Sequence, residues 1–88
     1  MTWKIKVLPH TTRQLEKLDR QVQKRILGFL YKRLLPANNP RQFGKALTGR
    51  LNKYWSYRVG DYRIIADIQD HALTIIAISI DHRRQVYS

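Results

Sequence analysis

One short segment constrains the fold of this chain more than any other. Gly60-Asp61 separates two runs rich in aromatic and β-branched residues, Trp55-Ser56-Tyr57-Arg58-Val59 and Tyr62-Arg63-Ile64-Ile65-Ala66. Two such runs joined by two turn-forming residues predict a β-hairpin, with Gly60 at the position of a type II′ turn that needs positive φ. A two-residue loop fixes the register. Val59 is then opposite Tyr62, Arg58 opposite Arg63, Tyr57 opposite Ile64, Ser56 opposite Ile65 and Trp55 opposite Ala66. Alternation puts Trp55, Tyr57, Val59, Tyr62, Ile64 and Ala66 on one face, which reads as core. The other face carries Arg58 against Arg63. Like charges in a direct cross-strand pair cost stability, so a sheet that holds two guanidinium groups side by side has an anion to place between them.

The remaining elements fall into place around that hairpin. Residues 2–7 alternate as an edge or near-edge strand, with Trp3, Ile5 and Val7 inward and Lys4 and Lys6 outward, and Pro9 ends it. Thr11 or Thr12 caps a short helix carrying Leu15 and Leu18, and Asp19 caps a second. Val22, Ile26, Phe29, Leu30 and Leu34 recur at helical spacing along the second helix. Gly28 is expected to mark close packing there, and Pro36 stops the helix. Residues 36–40 are loop, with Phe43, Ala46 and Leu47 pinning its end to the core. The hairpin occupies residues 54–68, Gln69-Asp70-His71-Ala72 makes a second turn, and residues 73–80 form a strand apolar on both faces. On that strand Ile76 and Ile78 are expected on the arginine face, where Asp67 is a distant carboxylate. The predicted fold is α+β: a single domain over residues 1–88, ordered β-α-α-β-β-β, with a helical hairpin packed on a mainly antiparallel four-stranded sheet and a basic face opposite.

Charge then narrows the class of partner. Seventeen Lys and Arg against six Asp and Glu give a net charge of +11 on 88 residues, spread along the chain rather than gathered in a tail. Such a surface suits a polyanion. A domain this small buries only about 60–65% of its extended surface, so it has one modest core. The chain has no cysteine, which removes disulfides and thiolate metal sites and fits a cytoplasmic protein. Three scattered histidines give no metal-ligand spacing. No apolar run approaches the roughly 20 residues of a membrane span, and the N-terminus lacks a signal-peptide pattern.

The order of elements, the WxYRVGDYRII hairpin and the terminal IxHRRxVY motif together resemble the RelE/ParE toxin superfamily, on the RelE side, over essentially the whole chain. The resemblance implies a toxin of a type II toxin–antitoxin system. Such a toxin enters the ribosomal A site, cleaves mRNA there without a metal or other cofactor, and is blocked by a cognate antitoxin. Operator DNA is reached only through the antitoxin complex, and no membrane is involved. By the same resemblance, Arg63 contacts the scissile phosphate, Arg83 stabilises the transition state, Tyr87 stacks on a base or assists proton transfer, and Arg58 is a basic strand position on the same face. One position departs from the pattern. Where the family usually has a second Lys or Arg two residues before Arg58, this chain has Ser56.

The chemistry is coherent with that reading. Cleavage of RNA without metal needs a base for the 2′-hydroxyl, cations for the pentacoordinate phosphate and an acid for the leaving oxygen. Arginine suits the phosphate because its fork engages two oxygens at once. His82 is the titrating candidate nearest neutral pH, with Lys53 and Tyr54 as weaker ones. The competing readings are an ordinary solvated face at Arg58 and Arg63, a ParE-like toxin that inhibits DNA gyrase by binding, and a catalytically weakened RNA-binding relative, which Ser56 makes plausible.

Overall fold

The computed structural model describes residues 3–82. Arg83 and Tyr87 lie outside the described residues. Five strands form one sheet: β1 (Lys4–Val7), β2 (Lys45–Ala46), β3 (Trp55–Val59), β4 (Tyr62–Gln69) and β5 (Thr74–His82), in the order β1-β5-β4-β3-β2. β1 runs parallel to β5 and every other pairing is antiparallel. The α+β architecture is the expected one, with one strand more than the four predicted. The extra strand, β2, is two residues long and pairs Lys45 with Ser56 and Ala46 with Trp55. Two residues carry no periodicity, so nothing in their pattern marks them as a strand.

Two helices cover one face of the sheet. The first, α1 (Pro9–Glu16), begins on Pro9, whose fixed φ and missing N–H suit a first helical turn. Neither threonine caps it. Leu8 holds the cap position without a side-chain bond, and Thr11 is fully buried, its hydroxyl donating to the Ile78 carbonyl. The second, α2 (Arg20–Gly28), is capped by Asp19, whose carboxylate accepts from the Gln21 N–H at 3.2 Å. It runs on through a π-helical segment, Phe29–Leu34, in which the Leu35 N–H reaches back five residues to the Leu30 carbonyl. Leu30 and Leu34 are buried there, and Pro36 follows. Gly28 does not mark a close approach: a Cβ at that position would meet open space.

The core lies between these helices and the sheet. Ile26, Leu30 and Leu34 pack against Tyr57, Ile64, Ala66, Ile75, Ala77 and Ile80, with Trp3 and Leu15 completing the cluster. Each large apolar side chain so buried contributes on the order of 1.5–3 kcal/mol. The hairpin register is the expected one at all five pairs. Gly60 has φ +60° and Asp61 has negative φ, as a type II′ turn requires.

The pairing of β4 with β5 is interrupted by a bulge. Ile65 faces Ser79, but Ala66 faces Ala77, so Ile78 is left over. Beyond Ala77, β5 has also run past the end of β1. Its backbone there is satisfied from α1: Thr11 donates to the Ile78 carbonyl, and the Gln14 side chain accepts from the Ile80 N–H at 2.8 Å. This extra residue resets the alternation of everything after it. Ile80 returns to the core, Asp81 comes opposite Arg63, and His82 comes opposite Tyr62.

Candidate functional site

Arg58 and Arg63 sit opposite each other on the sheet face away from the helices. Val59 and Tyr62 flank a two-residue turn and so form the hydrogen-bonded pair that closes it. Arg58 and Arg63 are therefore a non-hydrogen-bonded pair, the kind in which Cα atoms approach to about 4.5 Å and side chains crowd most. Among the described residues neither guanidinium has a carboxylate in ion-pair range; the ion pair found there joins Arg41 and Asp70. The like-charge opposition expected from the sequence is present, and on its other side Arg63 has Asp81 as its cross-strand neighbour.

These arginines floor one side of a hollow of about 460 Å³, whose other wall is the segment from Gln42 to Thr48. That segment is strapped to the sheet by its own backbone. The Tyr57 hydroxyl donates to the Pro40 carbonyl at 2.9 Å, and the Trp55 indole N–H donates to the Arg41 carbonyl at 3.1 Å. The Asn39 side chain accepts from the Arg41 N–H at 3.1 Å and starts a 3₁₀ turn at Pro40–Phe43. The Arg41 guanidinium forms a two-pronged bridge to Asp70 at 2.7 and 2.8 Å and lies 5.8 Å from the Trp55 ring centroid. Burial pushes the Tyr57 phenol above its ordinary range, so it stays a neutral donor. At Gly44 the strap passes so close to β3 that a Cβ would stand 2.4 Å from the Ser56 carbonyl oxygen.

The strap supplies a cation that sequence reasoning missed. Lys45 is the cross-strand partner of Ser56, so the two share the arginine face, and both line the hollow with Arg58 and Arg63. A lysine thus stands beside the position where the serine departs from the family pattern. Pairing of a two-residue strand has no sequence signature, so Lys45 reads as a loop lysine until the fold is known.

The other predicted site residues are not all gathered here. Lys53 and Tyr54 precede β3, with the Lys53 ammonium 5.2 Å from the Tyr54 ring centroid, and neither lines the hollow. His82 does not join the arginines. The bulge turns it to the helix side of the sheet, where its ring meets Tyr62 edge-on at 5.2 Å. The same shift brings Asp81 onto the arginine face opposite Arg63, where the Ser79 hydroxyl donates to its carboxylate at 2.7 Å. In an unbulged register the two exchange faces, with His82 on the arginine face and Asp81 on the helix side. Among the described residues no group of three or more His, Cys, Asp or Glu could hold a metal ion, and no helix is long and apolar enough to cross a membrane.

The sequence profile of the ParE toxin of type II toxin–antitoxin systems matches residues 5–87. The chain belongs to this family. Among its relatives, toxin RelG of Mycobacterium tuberculosis is 28% identical over 87 residues, covering 99% of this chain and 98% of that one. A chain of the RelBE2 toxin–antitoxin complex of Mycobacterium tuberculosis superposes with TM-score 0.85 at 26% identity, over 94% of this toxin and all of its own length. A chain of the archaeal RelE–RelB complex of Pyrococcus horikoshii does so with TM-score 0.75 at 26% identity, over 98% and 100%. The toxin is thus similar end to end to members on the RelE side of the RelE/ParE superfamily.

Proposed function

We propose that this toxin is a metal-independent endoribonuclease that cleaves mRNA in the ribosomal A site, held in check by a cognate RelB-type antitoxin through which alone it meets operator DNA. The observation that carries the reading is the hollow itself. Arg58, Arg63 and Lys45 converge on it and no Asp or Glu lines it. Such a site suits a phosphodiester, whose charge grows in the transition state. The relatives solved with RelB support the partner.

In the proposed reaction the 2′-oxygen attacks the adjacent phosphorus, the 5′-oxygen leaves, and a cyclic phosphate remains. Arg63 and Arg58 hold the non-bridging oxygens, and Arg83 adds a cation from the tail. Asp81, on the face of Arg63, takes the 2′-hydroxyl proton, and Tyr87 assists protonation of the leaving oxygen. His82, turned to the opposite face, takes no part in these transfers.

The test is primer extension on mRNA translated by purified ribosomes with and without the toxin. Cuts within translated codons that disappear in Asp81→Asn, with ribosome binding retained, are the expected result. Uncut mRNA from active ribosomes overturns the nuclease reading. Full cleavage by Asp81→Asn removes that residue from the reaction. The ParE family match favours one further reading, inhibition of DNA gyrase by binding. A supercoiling assay discriminates: loss of supercoiling with intact translation supports that reading instead.

A further inference from the structure

The geometry points to a second phosphate subsite between α2 and the tip of the β3–β4 hairpin, which takes the RNA backbone where it leaves the hollow at Arg58 and Arg63. This rests on the nuclease reading above. The subsite is a hollow of about 290 Å³ lined by Arg25, Phe29, Arg33, Arg58, Val59 and Gly60. Half of that lining is arginine, drawn from α2, its π-helical extension and β3, and none of it is acidic.

Two of the three guanidinium groups are positioned by the fold. Arg25 lies against the hairpin turn: a Cβ at Gly60 would stand 3.1 Å from its Nη1. Arg33 lies over two rings, 5.1 Å from the Phe43 centroid and 6.0 Å from that of Phe29. Held guanidinium groups lose little entropy when they engage an anion. The third, Arg58, lines both hollows and so joins them.

The edge of β3 adds a neutral donor. β2 covers only Trp55 and Ser56, so the strand edge is open beyond them. In a non-hydrogen-bonded pair with Arg63, the Arg58 N–H points outward along that edge. A phosphodiester fits these features better than an acidic peptide does. Continuity through Arg58 ties the occupant to whatever fills the first hollow. The apolar lining is also already engaged, since Phe29 packs against Tyr57 with centroids 5.4 Å apart and carries Arg33 on its ring.

The experiment is fluorescence-anisotropy binding of a labelled single-stranded oligoribonucleotide to the purified full chain over a salt series. Arg25→Gln/Arg33→Gln is compared with Lys24→Gln/Lys32→Gln, which removes the same charge from exposed positions outside both hollows. The arginine pair should weaken binding roughly tenfold and make the slope of log K against log salt shallower by about 0.7 for each phosphate no longer neutralised. The lysine pair should change the slope less and leave cleavage unchanged. Arg25→Gln alone, which touches no ring, gives the same direction if the double variant fails to fold. Equal losses in both pairs overturn the subsite by showing a diffuse charge effect. Unchanged RNA binding with weakened binding of an antitoxin peptide also overturns it, because the hollow is then a protein-binding surface. A wild-type chain that binds RNA with the expected slope but leaves mRNA uncut on translating ribosomes defeats the nuclease reading and leaves the subsite standing.

Discussion

At the scale of single residues the site is a set of repulsions that a substrate relieves. Arg58 faces Arg63 with no carboxylate between them among the described residues. Arg63→Ala should leave thermal stability close to that of wild type, because the repulsion from Arg58 and the attraction to Asp81 opposite are lost together, while cleavage falls by about 10²-fold or more, as it does when a group that stabilises the transition state is removed. Melting temperature and single-turnover cleavage measured on one preparation check this; joint loss of fold and activity would make Arg63 structural. Lys45 and Ser56 make a sharper case because they are cross-strand partners. Lys45→Ala should slow cleavage by roughly tenfold, about 1.4 kcal/mol of barrier. Adding Ser56→Lys to that variant should restore most of the rate by returning a cation to the same face. A double variant as slow as Lys45→Ala would show that the strap, rather than the charge, matters.

At the scale of elements the strap decides where that lysine stands. Gly44→Ala places a Cβ against the rigid Ser56 carbonyl, so strand β2 must lift away. A cost of about 1–3 kcal/mol is expected, read as a lowered denaturant midpoint, together with reduced cleavage. Gly28→Ala is the internal contrast, since a Cβ there enters open space within a helix. The strap is also tied to the turn after β4 by Arg41 and Asp70. The hydrogen bond from Arg41 holds the Asp70 carboxyl below its ordinary range. A carboxyl lowered in the folded state stabilises the fold above its unfolded pKa, near 3.9, and loses that contribution as pH falls through its folded value. Wild type should thus exceed Asp70→Asn in melting temperature at neutral pH, by an amount worth at most about 1 kcal/mol for so exposed a pair, and the two should converge once the pH has fallen through the lowered folded-state value. A gap that persists in strong acid would assign the difference to packing.

At the scale of the whole molecule, the helices take one face of the sheet and leave the other to a polyanion. With a net charge of +11, the chain should bind ribosomes or RNA with a steep salt dependence, each neutralised phosphate adding about −0.7 to −0.9 to the slope of log K against log salt. A flat dependence, measured by filtration or sedimentation with ribosomes, would show that the charge is not what holds the complex together.

The sequence alone determined what short-range geometry can enforce. A two-residue turn leaves one register, so the pairs from Trp55–Ala66 to Val59–Tyr62, the core face they share and the opposed arginines were all legible. The Asp19 cap, the stop at Pro36 and the turn at Asp70–Ala72 were legible for the same local reason. Tertiary structure alone decided what depends on partners distant in sequence. β2 forms where Tyr57 and Trp55 hold the strap against the sheet edge. The β4–β5 bulge is accommodated by Thr11 and Gln14, which satisfy the β5 backbone from more than sixty residues away. Because side chains alternate with period two, that one extra residue moved His82 off the arginine face and put Asp81 on it, an exchange that no pattern within residues 73–82 discloses.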